Sequence, residues 1–221
     1  MTTVEHDQDS DVETYEYERP RWLLVVLGLV CAIALLGAGA ALTVVTGVGT
    51  SRPPPVDSVD AGFARDMSTH HRQAVLMAQL ERDNGSDPAV RLVAFDIETG
   101  QESQVGQMLG WLESWDQTPQ TDVAQMAWMG HAVEPGQPMP GMATTAELAR
   151  LKSLSGKPLG VYFLQLMIRH HKGGLEMAQY GAAHASEPYV KALAEKIVTA
   201  QQNEVVMMEQ MLRERGAQPL S

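Results

Sequence analysis

The stretch Phe63-Ala64-Arg65-Asp66-Met67-Ser68-Thr69-His70-His71 returns a hundred positions later as Phe163-Leu164-Gln165-Leu166-Met167-Ile168-Arg169-His170-His171. The copies stay in register beyond it. Met77-Ala78-Gln79 is matched by Met177-Ala178-Gln179, Pro88 by Pro188, Ile97 by Ile197, Gln101 by Gln201 and Met108 by Met208. About a third of positions 63–112 are identical to their partners in 163–212, which marks an internal duplication. Each copy keeps a His-His pair with a Met three and four residues upstream, a constellation that points to metal binding.

Phe63, Met67, His70, Ala74, Met77 and Ala78 recur at helical steps. A first helix is expected from Asp57 to near Asn84-Gly85. Ser86-Asp87-Pro88 opens a second, a capping residue followed by Pro in the first turn, which runs to about Trp115. The second copy predicts a helix over about 158–184 and another from Ser186-Glu187-Pro188 to near Gly216. Thr144-Thr145-Ala146-Glu147 starts a short helix to about Leu154. No segment alternates as a strand would. The expected fold is all-α: two duplicated helical hairpins form a ferritin-like four-helix bundle over 57–217. A Met-rich crossover at 118–145 joins them, and one N-terminal transmembrane helix precedes them.

That transmembrane helix is assigned to 22–48, from Trp22 to Val48, which carries no charge and is long enough to span a bilayer. Residues 1–21 form an acidic tail with seven carboxylates against Arg19 and Arg21, a composition expected to be disordered. The basic residues before the span place the tail in the cytoplasm and the remainder outside it, as a single-pass membrane protein. A cleaved signal peptide with Ala38-Gly39-Ala40 as its processing site is the rival reading. Residues 49–56, with Pro53-Pro54-Pro55, read as a stiff spacer.

The net charge of −11 over 221 residues excludes a basic nucleic-acid footprint. The one cysteine, Cys31, lies in the apolar stretch, so the bundle has neither a disulfide nor a thiolate site. A soft cation there must be held by Met and His. The chain has 13 methionines, and all except Met1 lie at or after Met67.

On a helical wheel Met67, His70, Ala74, Met77 and Glu81 share one narrow sector, with His71 at its flank. Met167, His170, Gly174 and Met177 repeat it, with His171 alongside. Ala74 and Gly174 leave space above the first histidine of each pair. Imidazole with thioether selects Cu(I), and by analogy silver; zinc stays open as an alternative. The candidate ligands are His70, His71, Met67, Met77, His170, His171, Met167 and Met177. Met139 and Met142 of the Met139-Pro140-Gly141-Met142 turn are added as a clamp for an exposed soft cation, with a purely structural turn as the alternative. The bland alternative is that the methionines fill a helical core and the histidines are satisfied, buried structural groups; one of each pair is expected either behind the ligating ring or at the surface. Trp128 is expected to pack the crossover onto the bundle. Gln101, Gln104, Gln201 and Glu204 form a polar stripe that either orients the imidazoles or satisfies itself.

The repeated motif Met-x-x-His-His at Met67 and Met167, the Met139–Met142 element and the pattern Ile197, Gln201, Glu204, Val205, Met208 resemble the bacterial family known as domain of unknown function 305. The resemblance covers roughly 60–215. It implies an exported or tethered ferritin-like bundle, with a role in copper handling for some members. Gln104 departs from it, standing where an acidic residue is usual. The function expected is copper sequestration or handling by a membrane-anchored, extracytoplasmic, non-enzymatic protein, alone, as a homo-oligomer or with a membrane-complex partner. A tethered scaffold with structural histidines is the alternative. A di-metal oxidase is disfavoured, since the Glu-x-x-His motif of such sites is absent.

Overall fold

The computed structural model describes residues 21–46, 52–134 and 136–220. The acidic tail up to residue 20 and the start of the Pro-rich spacer lie outside them. The chain divides into two compact units, Met1–Arg52 and Pro53–Ser221.

In the first unit, helix α1 spans Arg21–Thr46. Its side chains described without a break, 28–39, are exposed. Among the described residues no helix is long and apolar enough to cross a membrane. The span expected over 22–48 therefore rests on the sequence.

The second unit holds α2 (Val59–Asn84), α3 (Pro88–Ser114), a 3-10 turn (Ala127–Met129), α4 (Thr145–Ser153), α5 (Gly156–His184) and α6 (Pro188–Glu214). No strand occurs among the described residues. The sequence signals explain the boundaries. Ser58 accepts from Ala61 N at the start of α2, and Asp87 accepts from Ala89 N with Pro88 in the first turn of α3. Thr144 and Glu147 close a reciprocal capping box on α4. α6 is capped from a distance: Asp60 of α2 accepts from Ser186 N at 3.1 Å and Glu187 N at 2.8 Å. Residues assigned to the spacer are fastened to this unit, because Pro54 O accepts from Gln117 and Val56 O from Arg65.

α2 pairs with α3 and α5 with α6, and the hairpins meet through α2 against α5. These two central helices run antiparallel. Gly181 packs on Phe63, Gly174 on His70 and Gly160 on Glu81, so the numbering falls along α5 as it rises along α2. Four long helices thus form a bundle with two apolar clusters. One includes Met77, Met167 and Phe163; the other includes Phe63, Met67, Met177 and Met139.

Candidate metal centre

The histidines lie between those clusters. His70, His71, His170 and His171 are all fully buried, so of the two places expected for one histidine of each pair the surface is ruled out. The rings of His70 and His170 face each other with centroids 3.8 Å apart at 37°. The space beside His70 comes from the opposite helix: a Cβ on Gly174 would stand 3.0 Å from His70 Cε1. Gly174, one turn after His170, therefore makes room for the facing helix's His70 imidazole.

Each ring is held by one nitrogen. His70 Nε2 lies 3.1 Å from the Pro140 carbonyl and His170 Nε2 3.1 Å from the His70 carbonyl. His71 Nε2 lies 2.7 Å from Gln104 Oε1, and His171 Nε2 2.6 Å from Glu204 Oε2. All four partners are acceptors, so each ring carries its proton on Nε2 and donates it. That leaves four Nδ1 lone pairs, each buried and without a hydrogen-bond partner. An unpaired buried acceptor costs about 1–3 kcal/mol, and native folds contain few of them. These four atoms, on neighbouring rings, are the candidate metal donors. Burial pushes His70 down to about 4, against the Pro140 contact that opposes it. Burial, then the neighbouring His70, pushes His71 down to about 3. His170 is lowered well below the usual histidine range, again chiefly by burial. These rings are neutral, as a ligand must be.

The thioethers divide in a way the helical wheel did not anticipate. Met67 precedes His70 by one turn, whereas Met77 lies two turns beyond, about 10 Å along the axis. Because α5 is antiparallel, Met67 shares its cluster with Met177, and Met77 shares the other with Met167. Each end thus combines one methionine from either copy. Met139 belongs to the Met67 end and is buried, while Met142 packs beside it partly exposed. A cation clamped at 139–142 would therefore not be exposed on the Met139 side. Met108, Met208 and Met211 are core as well. Among the described residues no three His, Cys, Asp or Glu side chains are gathered closely enough to hold an ion by themselves. Sulfur donors or a shift of the rings would have to complete a site.

The crossover roofs this centre. Gly141, at φ +79°, and Gly173 let the turn lie on α5: a Cβ on Gly173 would stand 2.1 Å from Pro140 O. Asp66 pins the next stretch, accepting from Met126 N at 2.7 Å and Trp128 Nε1 at 2.8 Å. Trp128 packs edge-on against Phe63 and Tyr180, as a crossover anchor should. The sequence reading missed Pro140 and Asp66. Gly173-Gly174 inside a helix was the available signal for the first, since mid-helix glycines often mark close approach. Gln104 and Glu204 do orient imidazoles. Gln101 and Gln201 remain partly or wholly unpartnered beside them.

A duplicated bundle with a buried histidine quartet at its pseudo-symmetric centre defines the class. Residues 60–212 match the family described as "Domain of unknown function (DUF305)". The chain belongs to that family. It is similar to the crystal structure of a putative secreted DUF305 protein from Streptomyces coelicolor, at 44% identity and TM-score 0.72, covering 76% of this chain and 99% of that one. A DUF305 fragment from Deinococcus radiodurans matches at 32% identity and TM-score 0.61, covering 73% and 99%. CopM in its Cu(II)-bound form shares the fold at 24% identity and TM-score 0.57, covering 71% and 97%. CopM has also been solved with Cu(I) and with silver. No curated protein matches the chain.

Proposed function

We propose that this protein binds copper as Cu(I) outside the cytoplasm, tethered by a single span at 22–48, and sequesters or passes on the ion without catalysing a reaction. The observation that carries the reading is the set of four buried Nδ1 lone pairs, each on a ring whose other nitrogen is engaged by an acceptor. Neutral imidazole with Met67, Met177 and Met139 at one end, and Met77 and Met167 at the other, is a soft donor set that favours Cu(I) or Ag(I) over zinc. CopM, a fold relative solved with copper and silver, supports the same choice. Residues 57–217 serve as a ferritin-like carrier in which the ion sits between helices.

The test is a Cu(I) titration of the purified chain against a chromophoric chelator, with the quadruple variant His70→Ala, His71→Ala, His170→Ala, His171→Ala beside it. Saturable uptake by the wild type and its loss in the variant is the expected result. Equal uptake by both removes the histidines from the site and favours a scaffold with structural histidines.

A further inference from the structure

The two copies hold their second histidine differently. His71 is backed by the Gln104 carboxamide and His171 by the Glu204 carboxylate. Among the described residues, Glu204 is the one carboxylate hydrogen-bonded to a histidine of the cluster. Its side chain is 27% exposed. It lines a cavity of about 30 Å³ at the seam of α3 and α6, together with Gln101, Gln104 and Gln201, and with exposed Asp96 beside them. That volume is enough for one water or ion. Gln201 is buried with both polar atoms unpartnered, and a Cβ on Gly174 would stand 3.0 Å from both Gln201 Oε1 and His70 Cε1. Gln201 thus lines the cavity on one side and neighbours His70 on the other.

Two physical effects distinguish the halves. A carboxylate that accepts the ring N–H makes the opposite nitrogen a stronger donor than an amide carbonyl does. A cation among neutral imidazoles also adds a buried charge, which is costly without a countercharge. Glu204 supplies that countercharge once. Gln104 supplies none.

We propose that the two halves fill unequally: a soft monovalent cation enters through the α3–α6 seam and is held first on the His171 side, with Glu204 as its positioning residue. The His71 side follows with lower affinity. This inference rests on the copper-binding reading above.

The experiment is a stepwise Cu(I) titration of the full chain in detergent, with Glu204→Gln and Gln104→Glu as the variants and circular dichroism as the check on folding. Glu204→Gln gives copy two the acceptor that copy one already has, so a merely structural role would leave the titration unmoved. The wild type should show two steps separated at least tenfold. Glu204→Gln should weaken the first about 10- to 100-fold and merge the two. Gln104→Glu should strengthen the second toward the first, and it decides the question if Glu204→Gln does not fold. Equal steps in the wild type, or variant curves that superpose on it, overturn the inference while leaving copper binding intact. No uptake by the wild type overturns the copper reading itself.

Discussion

Gly173 and Gly174 are adjacent in α5, yet the structure assigns them opposite responses to the same added methyl. A Cβ on Gly173 would lie 2.1 Å from Pro140 O, 2.4 Å from Pro140 C and 2.6 Å from Gly141 N. Those are backbone atoms of the crossover, so the turn must withdraw by more than about 1 Å to restore ordinary contact. Withdrawal breaks the 3.1 Å bond from His70 Nε2 to Pro140 O. It also loosens Met139, which is 1% exposed. The orphaned ring N–H costs about 1–3 kcal/mol, and partial loss of Met139 packing about 1–2 kcal/mol. Against this, Gly→Ala within a helix gains about 1 kcal/mol. Gly173→Ala should therefore destabilise the bundle by about 2–3 kcal/mol. A Cβ on Gly174 meets Gln201 Oε1 and His70 Cε1, both at 3.0 Å. These are side chains that can yield, and crowding of about 1–2 kcal/mol nearly cancels the helical gain. Gly174→Ala should stay within about 1 kcal/mol of the wild type. Urea unfolding followed by circular dichroism measures both. A Gly173→Ala variant as stable as wild type, or less affected than Gly174→Ala, would refute the account of how the crossover is seated.

Asp66→Ala strips the acceptor from Met126 N and Trp128 Nε1; a loss of about 2–4 kcal/mol is expected, with Trp fluorescence shifting red as Trp128 becomes wetted, and unchanged emission would contradict it. In metal-free protein, His70, His71 and His170 take up protons less readily folded than unfolded, so stability is present above about pH 6.5 and is lost as pH falls toward 4. His70 alone accounts for about 3 kcal/mol of that loss, and a flat urea midpoint between pH 7 and 4.5 would count against neutral buried rings. Glu81 acts with the opposite sign. Its carboxyl is buried without a partner, and burial followed by the Asp87 charge pushes it up to about 7. The stability it contributes is present at acid pH and lost as pH rises from about 4.5 to 7. Glu81→Gln should thus gain about 1–3 kcal/mol on the wild type between pH 5 and pH 8, and parallel pH profiles would exclude this; the several histidines outweigh this single group in the overall acid response.

The helices were legible because duplication doubled every signal. Pro88 and Pro188 mark the same boundary, and the Asp87 and Thr144 caps act locally, within three residues. The His and Met residues were legible as one face because the helical period is a property of sequence alone. What stayed hidden depends on the packing of α2 on α5. Antiparallel crossing pairs Met67 with Met177 instead of Met77, and it turns Gly174 toward His70. The proton on Nε2 was equally hidden, because two of its four acceptors are backbone carbonyls, Pro140 and His70, seventy and a hundred residues from their donors. Asp60 on the α6 terminus and Asp66 on the crossover are long-range bonds of the same kind. No local pattern encodes them.

The central claim is that copper is held by histidine Nδ1 atoms on rings that keep their proton on Nε2. Long-range nitrogen–proton NMR of histidine-labelled protein, recorded before and after one and two equivalents of Cu(I), tests it most directly. The account predicts four Nε2–H tautomers in the metal-free protein and large shifts confined to Nδ1 on loading. Shifts at Nε2, or histidine spectra that copper leaves unchanged, would contradict it.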